Sequence, residues 1–217
     1  MSTKGHESDE RIEKLVTWAR RNQRGLTIAG VAVVLVAGGF WFAASARARR
    51  EAFAERELLQ ARSSGEAGNL PLATSDLQRV IERYGGTRAG QEAALTLAQF
   101  RLMQGQAELA AAELRGFVQS ADRQFQDQAF AVLGTALEQA GQPGPAGQAY
   151  LDAAQRTRFD LVAAQMLVAA GRAFTAAGDT ASAARAYQRI LDDHAQTGAE
   201  VEARLRLAEL RLGDIPS

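Results

Sequence analysis

The two histidines are the side chains with the most to offer a reaction. His194 stands beside Asp192 and Asp193, and an imidazole flanked by carboxylates could hold a divalent metal. His6 is remote from it in a polar N-terminal stretch, so the expected role of His194 is at a solvated helix end, helping to satisfy the last carbonyls. The run Gly85-Gly86-Thr87-Arg88-Ala89-Gly90 is glycine-rich enough to suggest a phosphate cradle. It follows a helical pattern rather than a strand and lacks a Walker lysine, so it reads as a helix cap and turn. Gly141 to Gly147 reads likewise as a turn with two prolines. The carboxylate pairs Asp192/Asp193 and Glu200/Glu202 are one and two residues apart, do not share a helix face, and read as solvated charges. The chain has no cysteine, which removes disulfides, thiolate metal sites and cysteine nucleophiles and permits an oxidising or a reducing compartment. These residues predict no catalytic site, no metal and no cofactor.

The elements that position these residues are set by a glycine that returns at Gly68, Gly105, Gly141, Gly178 and Gly213, at intervals of 37, 36, 37 and 35 residues. A period of this size marks a helical solenoid. Around each glycine one template repeats, with a small residue seven positions before it, an alanine five after and a large apolar residue nine after. These are Ala61, Ala73 and Leu77; Ala98, Ala110 and Leu114; Gly134, Ala146 and Tyr150; and Gly171, Ala183 and Tyr187. Small residues allow paired helices to approach closely, and the glycine permits the turn between them. Pro71, Pro143 and Pro145 fall where a second helix begins and a missing N–H is harmless. Asn69 caps the second helix of the first unit, and Asp179 or Thr180 that of the fourth. The last unit has one helix, in which Leu205, Ala208 and Leu212 keep helical spacing and Arg204, Arg206, Glu209 and Arg211 are available to solvent. The fold class expected is all-α, with about four helical hairpins and a C-terminal capping helix over residues 45–217.

Before the repeats, residues 26–44 form an uncharged, mostly apolar run of 19 residues, roughly 28 Å as a helix and long enough to cross a bilayer. Phe40, Trp41 and Phe42 suit an interface, and Arg47, Arg49 and Arg50 follow. Residues 1–25 form a tail in which Ile12, Leu15, Val16 and Ala19 make an amphipathic stripe beside Trp18, ringed by Arg11, Lys14, Arg20 and Arg21. The competing readings are a signal peptide cleaved after Ala44-Ser45-Ala46, and a buried core helix. No proline or glycine lies between Phe40 and Arg62, so the span is expected to run on into the first helix of the solenoid. The net charge of zero conceals an asymmetry: residues 1–50 carry 9 Lys and Arg against 4 acids, and residues 51–217 carry 16 against 21. The basic segment suits anionic lipid headgroups. The mildly acidic remainder argues against nucleic acid.

Phe130, Leu133, Gly134, Leu137, Gly141, Ala146, Tyr150 and Ala153 match, in order, the consensus of the tetratricopeptide repeat, which the chain resembles over about residues 54–213. The acidic start, the stretch ending Trp18-Ala19-Arg20-Arg21-Asn22, the glycine-bearing span, its aromatic exit and the run VIERYGGTRAGQEAALTLAQ (residues 80–99) resemble the ancillary SecYEG translocon subunit family, the YfgM-like proteins. That resemblance implies a single-span protein of the bacterial inner membrane. Its N-terminus would be cytoplasmic and its repeats periplasmic, associated with translocon subunits and chaperones.

Laid on the tetratricopeptide template, a protein-binding groove is lined by Glu92, Leu95, Gln99, Leu102 and Met103; by Gln128, Ala131, Thr135, Glu138 and Gln139; and by Gln165, Val168, Arg172 and Thr175. Only Arg172 is basic, so an extended or helical protein segment held by apolar and amide contacts is expected, not a clamped C-terminal carboxylate. A register slip of one would instead make Leu95, Leu102, Met103 and Val168 core residues. Phe100, Phe117, Phe125, Phe130, Phe159 and Phe174 are expected to pack between helices. The function expected is a non-enzymatic, membrane-anchored adaptor, the alternative being a cleaved periplasmic scaffold in envelope assembly or cell division. A homo-oligomer through the exposed last helix is left open.

Overall fold

The computed structural model describes Trp18 and residues 22–213. His6 and the amphipathic stripe around Ile12 and Leu15 lie outside the described residues. The elements are α1 (Gln23–Glu66), α2 (Leu70–Tyr84), α3 (Arg88–Met103), α4 (Ala107–Ser120), α5 (Arg123–Gln139), α6 (Pro143–Arg156), α7 (Asp160–Ala176), α8 (Thr180–Asp193), a 3-10 turn (Ala195–Thr197) and α9 (Glu200–Gly213). The chain divides into two units, residues 1–50 and residues 51–217. In the second unit the first side chain to enter a core is Ala54.

In the first unit, α1 is a single helix through the apolar run, and Ile28, Val34, Leu35, Val36, Phe40, Trp41 and Phe42 are all exposed. Among the described residues no helix is long and apolar enough to cross a membrane. The side chains at 26, 27, 29–31 and 33, which carry part of the expected span, lie outside that described set.

In the second unit, the end of α1 pairs with α2, α3 with α4, α5 with α6 and α7 with α8, and α9 packs on α8. The turn glycines Gly68, Gly105, Gly141 and Gly178 all have positive φ, between 69° and 83°, where a Cβ would be strained. Gly213 departs from the expected period: it is the last residue of α9, and the fifth left-handed glycine is Gly198. Pro71 and Pro143 lie in the first turns of α2 and α6. The Asn69 side chain accepts from Leu72 N at 3.2 Å and that of Asp179 from Ser182 N at 2.9 Å, so Asp179, not Thr180, is the cap. Accepting from Ser182 holds the Asp179 carboxyl below its usual range.

Within a hairpin, side-chain sizes on the two helices are matched. Ala61, Ala98, Gly134 and Gly171 on first helices accompany Leu77, Leu114, Tyr150 and Tyr187 on second helices, and the four large residues are each at most 5% exposed. A Cβ on Gly134 would stand 2.6 Å from Tyr150 Cε1, and one on Gly171 would collide with the Tyr187 ring. Alanine is therefore paired with leucine and glycine with tyrosine. Polar ties join successive hairpins. Glu51 accepts from Arg88 N (3.0 Å) and Ala89 N (2.8 Å), and buried Gln91 exchanges two 2.8 Å bonds with Asp122.

Two hydrophobic clusters result. One gathers Ala54, Leu58, Leu77, Val80, Ala93 and Leu97, and the other runs from Leu95 to Leu207. They meet at α3, which serves the first through Leu97 and the second through Leu95 and Ala98. Beside this seam Arg101 is 4% exposed and ion-paired with Glu113. Leu137 and Phe174 occupy the same place in the next two units, and Ala149 and Ala186 correspond to Glu113; all four are buried.

Two outcomes follow for stability. Gly171→Ala is expected to cost about 1–3 kcal/mol by overpacking, and adding Tyr187→Leu, which recreates the Ala98/Leu114 match, is expected to recover part of that loss in denaturant unfolding. A double variant as unstable as the sum of its singles would contradict the size match. Arg101→Leu with Glu113→Ala, the residues found one unit later, should be neutral or stabilising by up to about 4 kcal/mol, whereas Glu113→Ala alone should destabilise by stranding a buried cation.

Candidate functional site

The residues singled out for chemistry are dispersed or satisfied. His194 follows α8 but is not solvated as expected: its ring is 13% exposed and its Nδ1 lies 3.5 Å from Asp160 Oδ1 at the start of α7, not against Asp192 or Asp193. No group of three or more metal-ligating side chains occurs among the described residues. The glycine-rich run holds the expected turn, and the donors where it enters α3 are already used. Arg88 N and Ala89 N bond Glu51, and Gly90 N bonds the Thr87 hydroxyl at 3.0 Å, so a phosphate would find a carboxylate in its place.

The expected groove separates into three kinds of position. Leu95 and Val168 are corrections: they are 2% and 8% exposed, belong to the core and cannot meet a ligand. Leu102 and Ala131 are half-buried and pack on that core. The helix turns by about 100° per residue, so an error of one position carries a side chain from the open face into the stack. Gln99, Gln128, Glu138, Gln139, Gln165, Arg172 and Thr175 are exposed, as is Met103 at 71%. Glu92 is half-buried and held by Arg62, whose Nη2 donates to Glu92 Oε1 at 2.8 Å and to Thr96 Oγ1 at 3.1 Å. Phe125, Phe130 and Phe174 are buried and Phe100 and Phe117 half-buried, but Phe159 is 61% exposed, with Arg158 over its ring at 5.8 Å.

What the structure brings together lies on the first-helix face of the later hairpins. The Tyr150 hydroxyl, carried there by a ring packed on Gly134, donates to Glu138 Oε2 at 2.6 Å and lies 3.2 Å from Thr135 Oγ1. One unit on, Arg172, Thr175, Ala176 and Tyr187 join Arg206, Glu209 and Leu210 of α9 around an open cleft of 450 Å³. Arg206 Nη1 donates to Glu209 Oε2 at 2.9 Å, a pairing that raises its already high affinity for its proton. Arg206, Glu209 and the two phenols escape a reading of the first-helix pattern. The available signal was a tyrosine at a packing position where earlier units use leucine, since a buried phenol needs a partner for its hydroxyl.

Burial foremost, then the bond to Glu138, pushes the Tyr150 phenol above its usual range, and burial does the same for Tyr187. A phenol raised in the folded state keeps its proton after the unfolded chain has lost it. The stability it contributes is present below about pH 10 and lost as pH rises beyond. Lysine hardly confuses this range, because Lys4 and Lys14 are the only lysines. Tyr150→Phe and Tyr187→Phe should each flatten the fall in unfolding free energy between about pH 9 and 11.5. An unchanged slope in the double variant would contradict the placement of these rings.

No curated protein matches the sequence. A solved structure of a kinesin-light-chain protein of Podosopora anserina with nearly identical TPR-like repeats is similar at TM-score 0.55 and 16% identity, covering 71% of this chain and 83% of that one, and a single-substitution variant of the same protein matches equally. The crystal structure of MamA is similar at TM-score 0.51 and 16% identity, covering 70% of this chain and 95% of that one. At such identity these neighbours attest to the fold alone, an all-α solenoid of helical hairpins. The model of the tetratricopeptide repeat-like domain matches residues 42–161, more than half of the 217-residue chain. With its positive-φ turn glycines and size-matched hairpins, the chain belongs to that family.

Proposed function

We propose that the chain is a non-catalytic adaptor, tethered to the bacterial inner membrane through residues 26–44, whose repeats hold segments of other proteins on the periplasmic side. The observation that carries the binding role is the open first-helix face at α5, α7 and α9. There Arg172, Thr175, Arg206 and Glu209 stand with Tyr187 around a cleft, and one unit earlier exposed Glu138 accepts from the Tyr150 hydroxyl. The mixture of signs, amides and hydroxyls suits a peptide backbone and its side chains. The tether is supported by the exposed apolar side chains of α1. Val34, Leu35 and Val36, then Phe40, Trp41 and Phe42, are consecutive and so face every direction around the helix, an arrangement unfavourable in water. The association with Sec translocon subunits and membrane chaperones rests on the likeness of the N-terminal segment and residues 80–99 to the ancillary translocon subunit family. The cytoplasmic N-terminus follows from the same likeness.

Crosslinking and affinity capture of the full-length protein from gently solubilised membranes tests this reading, with intact mass taken on the same sample. Recovery of translocon or chaperone subunits with residues 1–46 attached is the expected result. A triple variant, Glu138→Ala, Arg172→Glu and Thr175→Ala, should lower that recovery at least about fivefold while keeping the helical content, since buried residues are untouched. A soluble chain beginning at Arg47 would remove the tether, and unchanged recovery by the triple variant would remove the groove.

A further inference from the structure

The last helix presents a face that the sequence pattern assigns inward and the structure turns outward. In α9 the side directed at the stack carries Ala203 (0% exposed), Leu207 (8%) and half-buried Leu210. Diametrically opposite, Val201 is 76% exposed, Leu205 56%, and Ala208 is exposed, an apolar stripe at i, i+4, i+7 spacing.

The charges beside the stripe point to what covers it. Along one flank run Arg204 and Arg211, and along the other Glu202 and Glu209. Glu200 and Arg206 sit lower, nearer the stack. A helix with one basic and one acidic flank around an apolar seam is complementary to itself when two copies lie parallel, because a two-fold axis along the helices sets each basic flank against the other's acidic flank. Antiparallel pairing would set arginine against arginine. We propose that α9 pairs in parallel with α9 of a second copy of this chain, with Val201, Leu205 and Ala208 in the seam and Arg204 meeting Glu209 of the second copy. Glu200 holds Arg204 through Nε and Nη2, at 2.8 and 2.7 Å, and Arg206 holds Glu209 through Oε2, so Nη1 of Arg204 and Oε1 of Glu209 are the atoms left to meet across the seam. Two turns of apolar seam make a weak contact that gains from any tether raising local concentration. The apolar seam lies outside the first-helix cleft; Glu209 alone is shared between the two.

The absence of cysteine makes the test direct. Val201→Cys, Leu205→Cys and Ala208→Cys, made singly in the full-length chain and oxidised in membranes, are expected to give disulfide-linked dimers at all three positions, because parallel helices bring each residue against its own copy. Gln155→Cys, exposed on α6, is the collision control. Crosslinking no greater than this control at all three positions overturns the proposal, and crosslinking at one alone reports an antiparallel crossing and overturns it equally. Arg204→Glu with Arg211→Glu should reduce the Leu205→Cys dimer at least about fivefold. Co-expression with a chain carrying Glu202→Arg, Glu209→Arg and Leu205→Cys should restore it; failure to restore removes the charge match.

Discussion

The distance between the two helices of each hairpin is the constraint from which the solenoid is built. It is set by a small residue on the first helix facing a large one on the second, and the chain uses two versions. The first two hairpins carry alanine with leucine; the last two carry glycine with tyrosine, the lost methyl making room for a ring. The second version does more than fill space. A leucine ends within the core, whereas a tyrosine on the same Cα extends through it and delivers a hydroxyl to the first-helix face, where Thr135 and Glu138 receive it. Packing and binding surface are thus one device in the later units. The earlier units lack a phenol there, and polarity on that face comes instead from Arg62, reaching across to Glu92 and Thr96.

In a stack, each hairpin owes its stability to its neighbours, so the contacts between hairpins decide how far a disturbance travels. Side-chain acceptors placed at helix starts provide some of these contacts here. Glu51 closes the exposed donors of α3, and Gln91 does the same at the start of α5, each tying one hairpin to the next through groups that would otherwise demand water. The Arg101–Glu113 pair has a different effect. Ion-pairing in a place that later units fill with Leu137 or Phe174 interrupts the continuity of apolar contact, and the two hydrophobic clusters meet there. Coupling is correspondingly expected to be weaker between the first hairpin and the rest than among the last three.

Local determinants were legible in the sequence. The glycine period fixed the turns because a left-handed residue after a helix has few other solutions, and Pro71, Pro143, Asn69 and Asp179 marked helix starts through the donors they lack or satisfy. The side chains that meet across the stack were not. His194 finds its partner in Asp160, 34 residues earlier, rather than in the adjacent aspartates. Leu95 and Val168 show how a face is misread when small and large apolar residues surround much of a helix, for α3 and α7 bury residues on several sides. Arg206 and Glu209 joined the candidate site only because α9 folds against α7 and α8, a contact that no spacing within one unit encodes.

The face that α9 turns away from the stack shows how charge can direct an apolar surface. It sets valine, leucine and alanine between a basic and an acidic flank. An apolar stripe alone would admit any apolar partner, since burial has no direction. Unlike flanks make the stripe selective: a helix with the complementary order of charges gains ion pairs on both sides, and one with the opposite order meets like charges on both.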